Sequence, residues 1–178
     1  MQPKISSQII ALLIISFLIN SCGLLKKTQE GFPFSILTES KDFPMPVGYV
    51  NDFEDILTDA QEKQLTKIIK RHEKATTDQI AVLTIRSIET NKDLKDYTLN
   101  VANYWGVGQK NKDNGTMIAL GKNLREIRIQ NGSGIINRLS DAETKQIIDK
   151  IMIPEFKKDN YFQGLKKGIE AIIEKLQA

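Results

Sequence analysis

Residues that could bind a cation or a phosphate are concentrated in one polar stretch, residues 105–115, which reads WGVGQKNKDNG. Asp113 and Asn114 supply carboxylate and amide oxygens, which are the ligands that Ca²⁺ and Mg²⁺ prefer. Glycines let a loop bring its backbone N–H groups close to a ligand, and lysines can balance the charge of a phosphate. The other candidate binding residues of this stretch are Gly106, Gly108, Lys110, Lys112 and Gly115. We call residues 106–115 the glycine loop.

A second pair of oxygen donors, Asn51 and Asp52, precedes the first predicted helix. Asp-Asn-Gly and Asn-Asp are also ordinary turn and loop sequences, because these side chains bond their own backbone and tolerate left-handed conformations. Residue types alone therefore do not decide between a turn and a cation site.

Several familiar sites are excluded by what the chain lacks. Gly106 and Gly108 follow a predicted helix, open no helix and lack the third glycine of a dinucleotide-binding fingerprint. His72 is the only histidine, and with no serine in a nucleophile-elbow context a hydroxyl-nucleophile triad is not indicated. Clustered His or Cys ligands for zinc are absent from the sequence. The position of His72 beside an apolar helical stripe favours a partly buried histidine over a ligand or base.

The length, composition and charge of the chain fit one globular domain without a nucleic-acid partner. Of 178 residues, 40% are hydrophobic and 26% are charged, and the formal net charge is +3. Lysines alternate with acids, as in residues 92–96 (KDLKD), which is typical of a solvated surface and not of a basic stripe along nucleic acid. Cys22 is the single cysteine, so no intramolecular disulfide can form.

The amino-terminal residues predict export and membrane anchoring. Residues 1–21 contain Lys4 and then an apolar run, 9–19, that is too short to span a bilayer, as expected of a signal peptide. Residues 18–23 (LINSCG) resemble the lipobox of bacterial lipoproteins, which implies cleavage before Cys22 and its acylation. The alternative is a plain secretory signal with an incidental cysteine. We interpret residues 22–46 as the lipidated Cys22 and a tether, and we expect a lipid-anchored protein on the exported side of the bacterial cell envelope.

Hydrophobic periodicity predicts the order α-β-α-β-β-α-α. Helices are expected from the Thr58 and Ser140 capping boxes, over residues 93–105, and at the carboxyl terminus. The β-branched runs 79–85 and 116–120 suit central strands, and the alternating segment 124–130 suits an antiparallel partner. The expected fold is an α/β sandwich in which a small mixed sheet is flanked by helices on both faces.

Residues 47–178 resemble the TPM domain family, which includes a thylakoid protein linked to photosystem II repair and many bacterial envelope proteins. The resemblance rests on residues 50–52 (VND) with 56–58 (ILT), on 79–82 (QIAV), and on 105–108 (WGVG) with 112–115 (KDNG). It implies an α/β sandwich, a divalent-cation site in some members and acid phosphatase activity in the plant representative. Carried over residue by residue, it places the metal-site positions at Asp52, Asp113 and Asn114.

One position departs from the family pattern Gly-x-Gly-Leu-Glu. Residues 132–136 read GSGII, so Ile136 stands where the family often has an acid. We therefore expect at most weak Ca²⁺ or Mg²⁺ binding and no certain cofactor. The favoured function is a non-catalytic accessory module that binds a membrane-protein partner while its acylated Cys22 lies in the lipid bilayer. The alternative is a metal-assisted acid phosphatase, in which a bound cation would activate water.

Overall fold

A computed structural model describes residues 43–88 and 93–177. The predicted signal peptide, Cys22 and residues 23–42 of the predicted tether lie outside the described residues. The elements in chain order are β1 (Val50–Asp52), α1 (Asp59–Thr76), β2 (Gln79–Thr84), α2 (Leu94–Trp105), β3 (Gly115–Gly121), β4 (Glu126–Asn131), α3 (Ser133–Ile136), α4 (Asp141–Ile147), a π-helical segment (Ile148–Met152), α5 (Ile153–Phe156) and α6 (Tyr161–Gln177). Among these elements, no helix is long and apolar enough to span a membrane.

The sheet has the spatial order β1-β2-β3-β4, with β1, β2 and β3 parallel and β4 antiparallel to β3. Gln79 pairs with Gly115 at one end of the parallel strands, and Thr84 pairs with Leu120 at the other. The glycine loop leads into the first residue of β3, so it lies at the amino-terminal end of the sheet. The β3–β4 turn lies at the opposite end.

Helices cover both faces of the sheet, as expected. Helix α2 packs against β3 and β4, and Met117 of β3 lines a groove with Ala102 of α2. Side chains alternate between the two faces of a sheet along a strand, so Leu120, three residues after Met117, points to the opposite face. There it lines a cavity together with Ile153 of α5. Helix α1 packs against β1, β2 and α6. The predicted α/β sandwich is confirmed.

Capping boxes fix the starts of two helices where the sequence predicted them. Thr58 accepts the backbone N–H of Gln61 at 3.3 Å and Gln61 reaches back to Thr58 N–H. Ser140 and Glu143 form the same reciprocal pair before α4. These bonds satisfy N–H groups that have no partner inside the helix.

Three elements differ from the predicted order. β1 has only three residues, too few to show a period, and α3 (Ser133–Ile136) forms between β4 and α4, where the predicted order has no helix. After α4 the helix widens into the π-helical segment and resumes at Ile153 with Pro154 in its first turn. Proline has no N–H for the helical ladder, so the wider turn lets the helix continue past Pro154.

The last residues of the predicted tether pack on the domain. The Phe43 ring lies 5.6 Å from the ring of Tyr97 and 5.8 Å from that of Tyr104, centroid to centroid. Trp105, which is 5% exposed, donates its indole N–H to the Pro44 carbonyl at 2.8 Å. The indole therefore joins this stretch to the end of α2.

Candidate functional site

The glycine loop is held by side chains that bond its backbone. Gly106 ends α2 with φ 65°, a left-handed conformation that glycine adopts without steric cost. The Gly108 N–H donates to Gln79 Oε1 at 2.7 Å, and the Gln109 N–H donates to Asn114 Oδ1 at 2.9 Å. These N–H groups therefore bond side chains of the same domain.

Asn114 is a buried bridge within the loop. It is 3% exposed, and its amide nitrogen donates to the Thr77 carbonyl at 2.9 Å and to Asp78 Oδ1 at 3.2 Å. Its amide oxygen accepts the Gln109 N–H described above. A cation would have to compete for this oxygen with a bond that shapes the loop.

Asp113 connects the glycine loop to α3. Its carboxylate accepts the Ser133 N–H at 2.8 Å and its carbonyl accepts the Gly134 N–H at 3.0 Å. The backbones approach so closely that a Cβ at Gly134 would lie 2.0 Å from the Lys112 carbonyl oxygen. Hydrogen bonds from the hydroxyl and N–H of Ser133 hold the pKa of Asp113 below its ordinary value. Asp113 is exposed and ionised at neutral pH.

Asp52 lies at the other end of the sheet. It pairs with Thr84 at the carboxyl ends of the parallel strands, whereas Asp113 precedes the amino end of β3. Five residues of strand at about 3.3 Å each separate those ends, a distance of roughly 16 Å. The Asp52 carboxylate accepts the Leu57 N–H at 2.7 Å and the Thr84 hydroxyl. Asp52 thus ties the chain before α1 to β2 and does not join Asp113 and Asn114.

The predicted set of three metal ligands is therefore not assembled. Its members lie at opposite ends of the parallel strands, and within residues 43–88 and 93–177 no three His, Cys, Asp or Glu side chains form a group able to hold a metal ion. Ile136 is 43% exposed on α3. Asp113 and Asn114 therefore do not share one cation site with Asp52.

The sequence did not reveal the charged network beneath the glycine loop. Arg138 binds Asp78 through two bonds, Nη1 to Oδ2 at 2.7 Å and Nη2 to Oδ1 at 2.9 Å. The Asp78 side chain is 5% exposed and that of Arg138 is 40% exposed. Burial by itself would raise the pKa of Asp78, but the bonds from Arg138 and Asn114 lower it below the ordinary value. The carboxylate is thus held ionised under the loop.

His72 lies against this network. Its Nε2 is 3.9 Å from Asp78 Oδ2 and 3.4 Å from the Thr76 hydroxyl. Its Nδ1 is buried and forms no hydrogen bond within the described part of the chain. Burial lowers the pKa of His72, against the attraction of Asp78. The sequence favoured a satisfied, partly buried histidine, but His72 is 2% exposed and its Nδ1 has no partner among the described residues, so it is more completely buried and less completely bonded than predicted.

Exposed residues lie around the charged network beneath the glycine loop. Gln109 to Asp113 are exposed at the tip of the loop, although Lys112 Nζ also donates to the Thr77 hydroxyl at 2.8 Å. A groove of about 150 Å³ runs beside the loop between α2 and β4, and Leu99, Asp113 and Ser133 line it. Leu99 is 41% exposed. The amino-terminal end of the sheet therefore presents polar and apolar groups on a preorganised frame.

Comparisons with known proteins agree with this architecture. The model of the TPM domain family matches residues 50–175. A search of the curated proteins found no match. The solution NMR structure of the N-terminal domain of a protein from P. gingivalis is 32% identical, with a TM-score of 0.67, over 72% of this chain and 82% of that one.

Two further solved structures are similar. The NMR structure of the BA42 protein from the psychrophilic bacterium Bizionia argentinensis is 25% identical, with a TM-score of 0.60, over 70% of this chain and 83% of that one. The N-terminal domain of the cg2496 protein from Corynebacterium glutamicum is 17% identical, with a TM-score of 0.57, over 79% of this chain and 86% of that one. This last similarity concerns the fold alone.

Proposed function

Because the chain belongs to the TPM domain family, we propose that it uses the TPM fold as a non-catalytic interaction module. The domain binds a membrane protein through the glycine loop and α3, and an acylated Cys22 anchors it to the envelope membrane. The motif LINSCG at residues 18–23 supports the anchor. The bonding of the loop's acid and amide groups supports the non-catalytic role.

One observation favours binding over catalysis. The side-chain oxygens of Asp113 and Asn114 accept backbone N–H groups that hold the loop and α3 in place. A phosphatase site instead needs convergent charged groups aimed at the position of the phosphate. Rigid loops with exposed tips suit recognition, because little conformational entropy is lost when a partner binds.

The apolar residues at this end also favour a protein partner. Leu99 and Ile136 are each more than two-fifths exposed, and Ile136 follows Gly134, whose N–H donates to the Asp113 carbonyl at 3.0 Å. Burying an apolar side chain in an interface contributes roughly 25 cal/mol per Å² removed from water. With isoleucine in place of the family's acid, position 136 lacks a cation ligand and instead presents an apolar side chain for contact with a partner.

The anchor is tested with Cys22→Ser. Wild-type and variant cells are grown with labelled fatty acid and then fractionated. Label on the wild-type chain that disappears from the variant supports acylation of Cys22. Equal labelling of both chains would remove the anchor from the proposal; membrane retention alone would not, because an uncleaved signal segment can also hold the chain.

The binding surface is tested with photocrosslinking side chains placed one at a time at Lys110 and Ile136. Lys63, exposed on α1, serves as the matched control position. The expected result is a crosslink to the same integral membrane protein from both loop positions and none from position 63. Equal crosslinking from all three positions would show a non-specific surface.

The phosphatase alternative has its own assay. Hydrolysis of a phosphate ester by the purified chain is measured with and without Mg²⁺, together with Asp113→Asn. The proposal predicts background rates throughout. Robust hydrolysis by the wild type that Asp113→Asn abolishes would replace the interaction module with the phosphatase.

A further inference from the structure

A cavity lies at the end of the sheet opposite the glycine loop. It has a volume of about 520 Å³ and is bounded by the β3–β4 turn, α5 and the start of α6. Leu120, Ile127, Ile153 and Phe156 form its apolar wall. Small-molecule sites typically have volumes of about 300 to 1,000 Å³ and mostly apolar walls with a few polar groups. The cavity has the size and the lining of such a site.

Its place in the fold is where α/β proteins commonly bind ligands. Leu120 and Thr84 are paired near the carboxyl ends of the parallel strands β3 and β2. Loops at the carboxyl ends of parallel strands form the crevices in which open α/β sheets bind their ligands. The proposed interaction surface at the amino end does not include any of these residues.

Cationic side chains line the cavity. They are Lys122 and Arg125 of the β3–β4 turn and Lys157, which follows α5. Lys122 Nζ lies 5.0 Å from the centroid of the Tyr161 ring, which also lines the cavity. Within the described residues, none of the three cations forms an ion pair with a carboxylate.

The acids nearby are mostly engaged elsewhere. Glu126 is the one acid that lines the cavity among the described residues. Glu54 lies behind the turn, and its carboxylate accepts the N–H groups of Lys122 and Asn123 at 2.8 and 2.9 Å. Burial and the nearby carboxylate of Asp159 raise the pKa of Tyr161. Positive charge therefore prevails on the cavity wall itself.

Arg125 adopts a backbone conformation that favours glycine. Its φ is 56°, in the left-handed region, and its N–H donates to the Lys122 carbonyl at 3.1 Å to close the turn. A non-glycine residue there costs free energy, and such residues cluster at functional sites. The turn would form at least as well with glycine, so turn geometry gives no reason for an arginine.

From these observations we propose that the cavity binds a small amphipathic anion, namely a phosphate or carboxylate carried on an aromatic or short aliphatic body. The apolar body lies against Ile127, Ile153 and Phe156, and the anionic group is bound by Lys122, Arg125 and Lys157. An arginine bonds such a group through two parallel N–H donors. The cavity volume limits the occupant to a small molecule.

The test uses 1-naphthyl phosphonate, which cannot be hydrolysed, with the purified full-length chain. Binding is measured by calorimetry and mapped by amide chemical shifts. The expected shifts are at residues 120–127 and 153–161. Arg125→Gly should weaken binding about tenfold, the loss expected for one charge-assisted contact, without lowering the denaturant midpoint. Arg71→Ala, which removes the same charge from an exposed position of α1, should bind as the wild type does.

The other outcomes would overturn the proposal. These are absence of binding, binding unchanged by Arg125→Gly, or equal affinity for the neutral analogue 1-naphthalenemethanol. A final arm adds vesicles of phosphatidylglycerol. If Arg125→Gly weakens only vesicle binding and leaves the phosphonate unaffected, the cations form a membrane-facing surface and the small-molecule site is wrong.

Discussion

Replacement of Arg138 by methionine tests the charged network beneath the glycine loop. The substitution keeps most of the aliphatic stem and removes the guanidinium, which leaves the Asp78 carboxylate without its bidentate partner. Removing one member of a buried ion pair costs about 3 to 5 kcal/mol, because the remaining charge is desolvated and uncompensated. The variant should therefore be markedly less stable than the wild type.

The structure indicates a smaller stability cost for Arg138→Met than this range. The Asp78 side chain is only 5% exposed, but that of Arg138 is 40% exposed, so water can enter the space that the guanidinium leaves. Asp78 also keeps its bond from Asn114 at 3.2 Å. We expect Arg138→Met to lower the free energy of unfolding by about 2 to 3 kcal/mol at pH 7. Arg138→Met with Asp78→Asn should cost less than the two single changes added together, by about 1 to 3 kcal/mol.

The pH dependence of this cost has a defined sign. Arg138 contributes to the lowered pKa of His72, and Asp78 opposes it. Without Arg138 the pKa of His72 should rise, and at acidic pH the imidazolium would then supply a positive charge near Asp78. The cost of Arg138→Met should therefore be smaller at pH 5 than at pH 7.

Urea unfolding of the full-length chain, followed by circular dichroism, measures these differences. Lys175→Ala is the control, because Lys175 pairs with Glu143 at 2.9 Å on the surface, with side chains 49% and 36% exposed. Exposed pairs contribute about 0 to 1 kcal/mol. If Arg138→Met costs no more than this control, or costs more at pH 5 than at pH 7, the network does not stabilise the loop as described.

Three further predictions concern the core, the histidine and the cation. Trp105→Ala should cost about 3 to 5 kcal/mol, because the indole is 5% exposed; an unchanged urea midpoint would contradict its burial. Burial lowers the pKa of His72 from 6.5, so below that pH the unfolded chain takes up a proton that the folded chain does not, and stability should fall by at most about 1.4 kcal/mol per pH unit. Asp78 stays ionised at these pH values, and His72→Gln should flatten the slope between pH 7 and pH 5. Calorimetry should show at most weak Ca²⁺ binding, which Ile136→Glu strengthens by adding a carboxylate ligand and Asp113→Asn reduces; equal affinities in all three chains would place any bound ion elsewhere.

The fold was predictable because its signals are local. The β-branched run that forms β2, the capping boxes at Thr58 and Ser140, and the left-handed Gly106 each depend on a few neighbouring residues. β1 was missed for the same reason, since Val50–Asp52 is too short to carry a period. It becomes a strand through pairing with β2, in which Val50 pairs with Val82, 32 residues further along the chain.

The candidate site was less predictable because it depends on register. Asp52 and Asp113 both stand beside predicted core elements, but only the strand pairing shows that they lie at opposite ends of the sheet. Asp78 and Arg138 are 60 residues apart in the chain, and an arginine in a polar connection is usually exposed. Gln79 gave one available signal, because it is the polar residue at the start of an otherwise apolar strand. Its side chain bonds Gly108 and so positions the loop.

The two ends of the sheet differ in how their charges are matched. At the amino end, the buried carboxylate of Asp78 has Arg138 as its partner, and Asp113 bonds Ser133. At the carboxyl end, Lys122, Arg125 and Lys157 line the cavity, and among the described residues none of them forms an ion pair with a carboxylate. An exposed lysine needs no partner, because water solvates it, so unpaired cations alone do not indicate a ligand. Arg125 is different, since it holds its charge at the cavity on a left-handed backbone that glycine would adopt at lower cost. That conformational cost is what connects the charge pattern to binding.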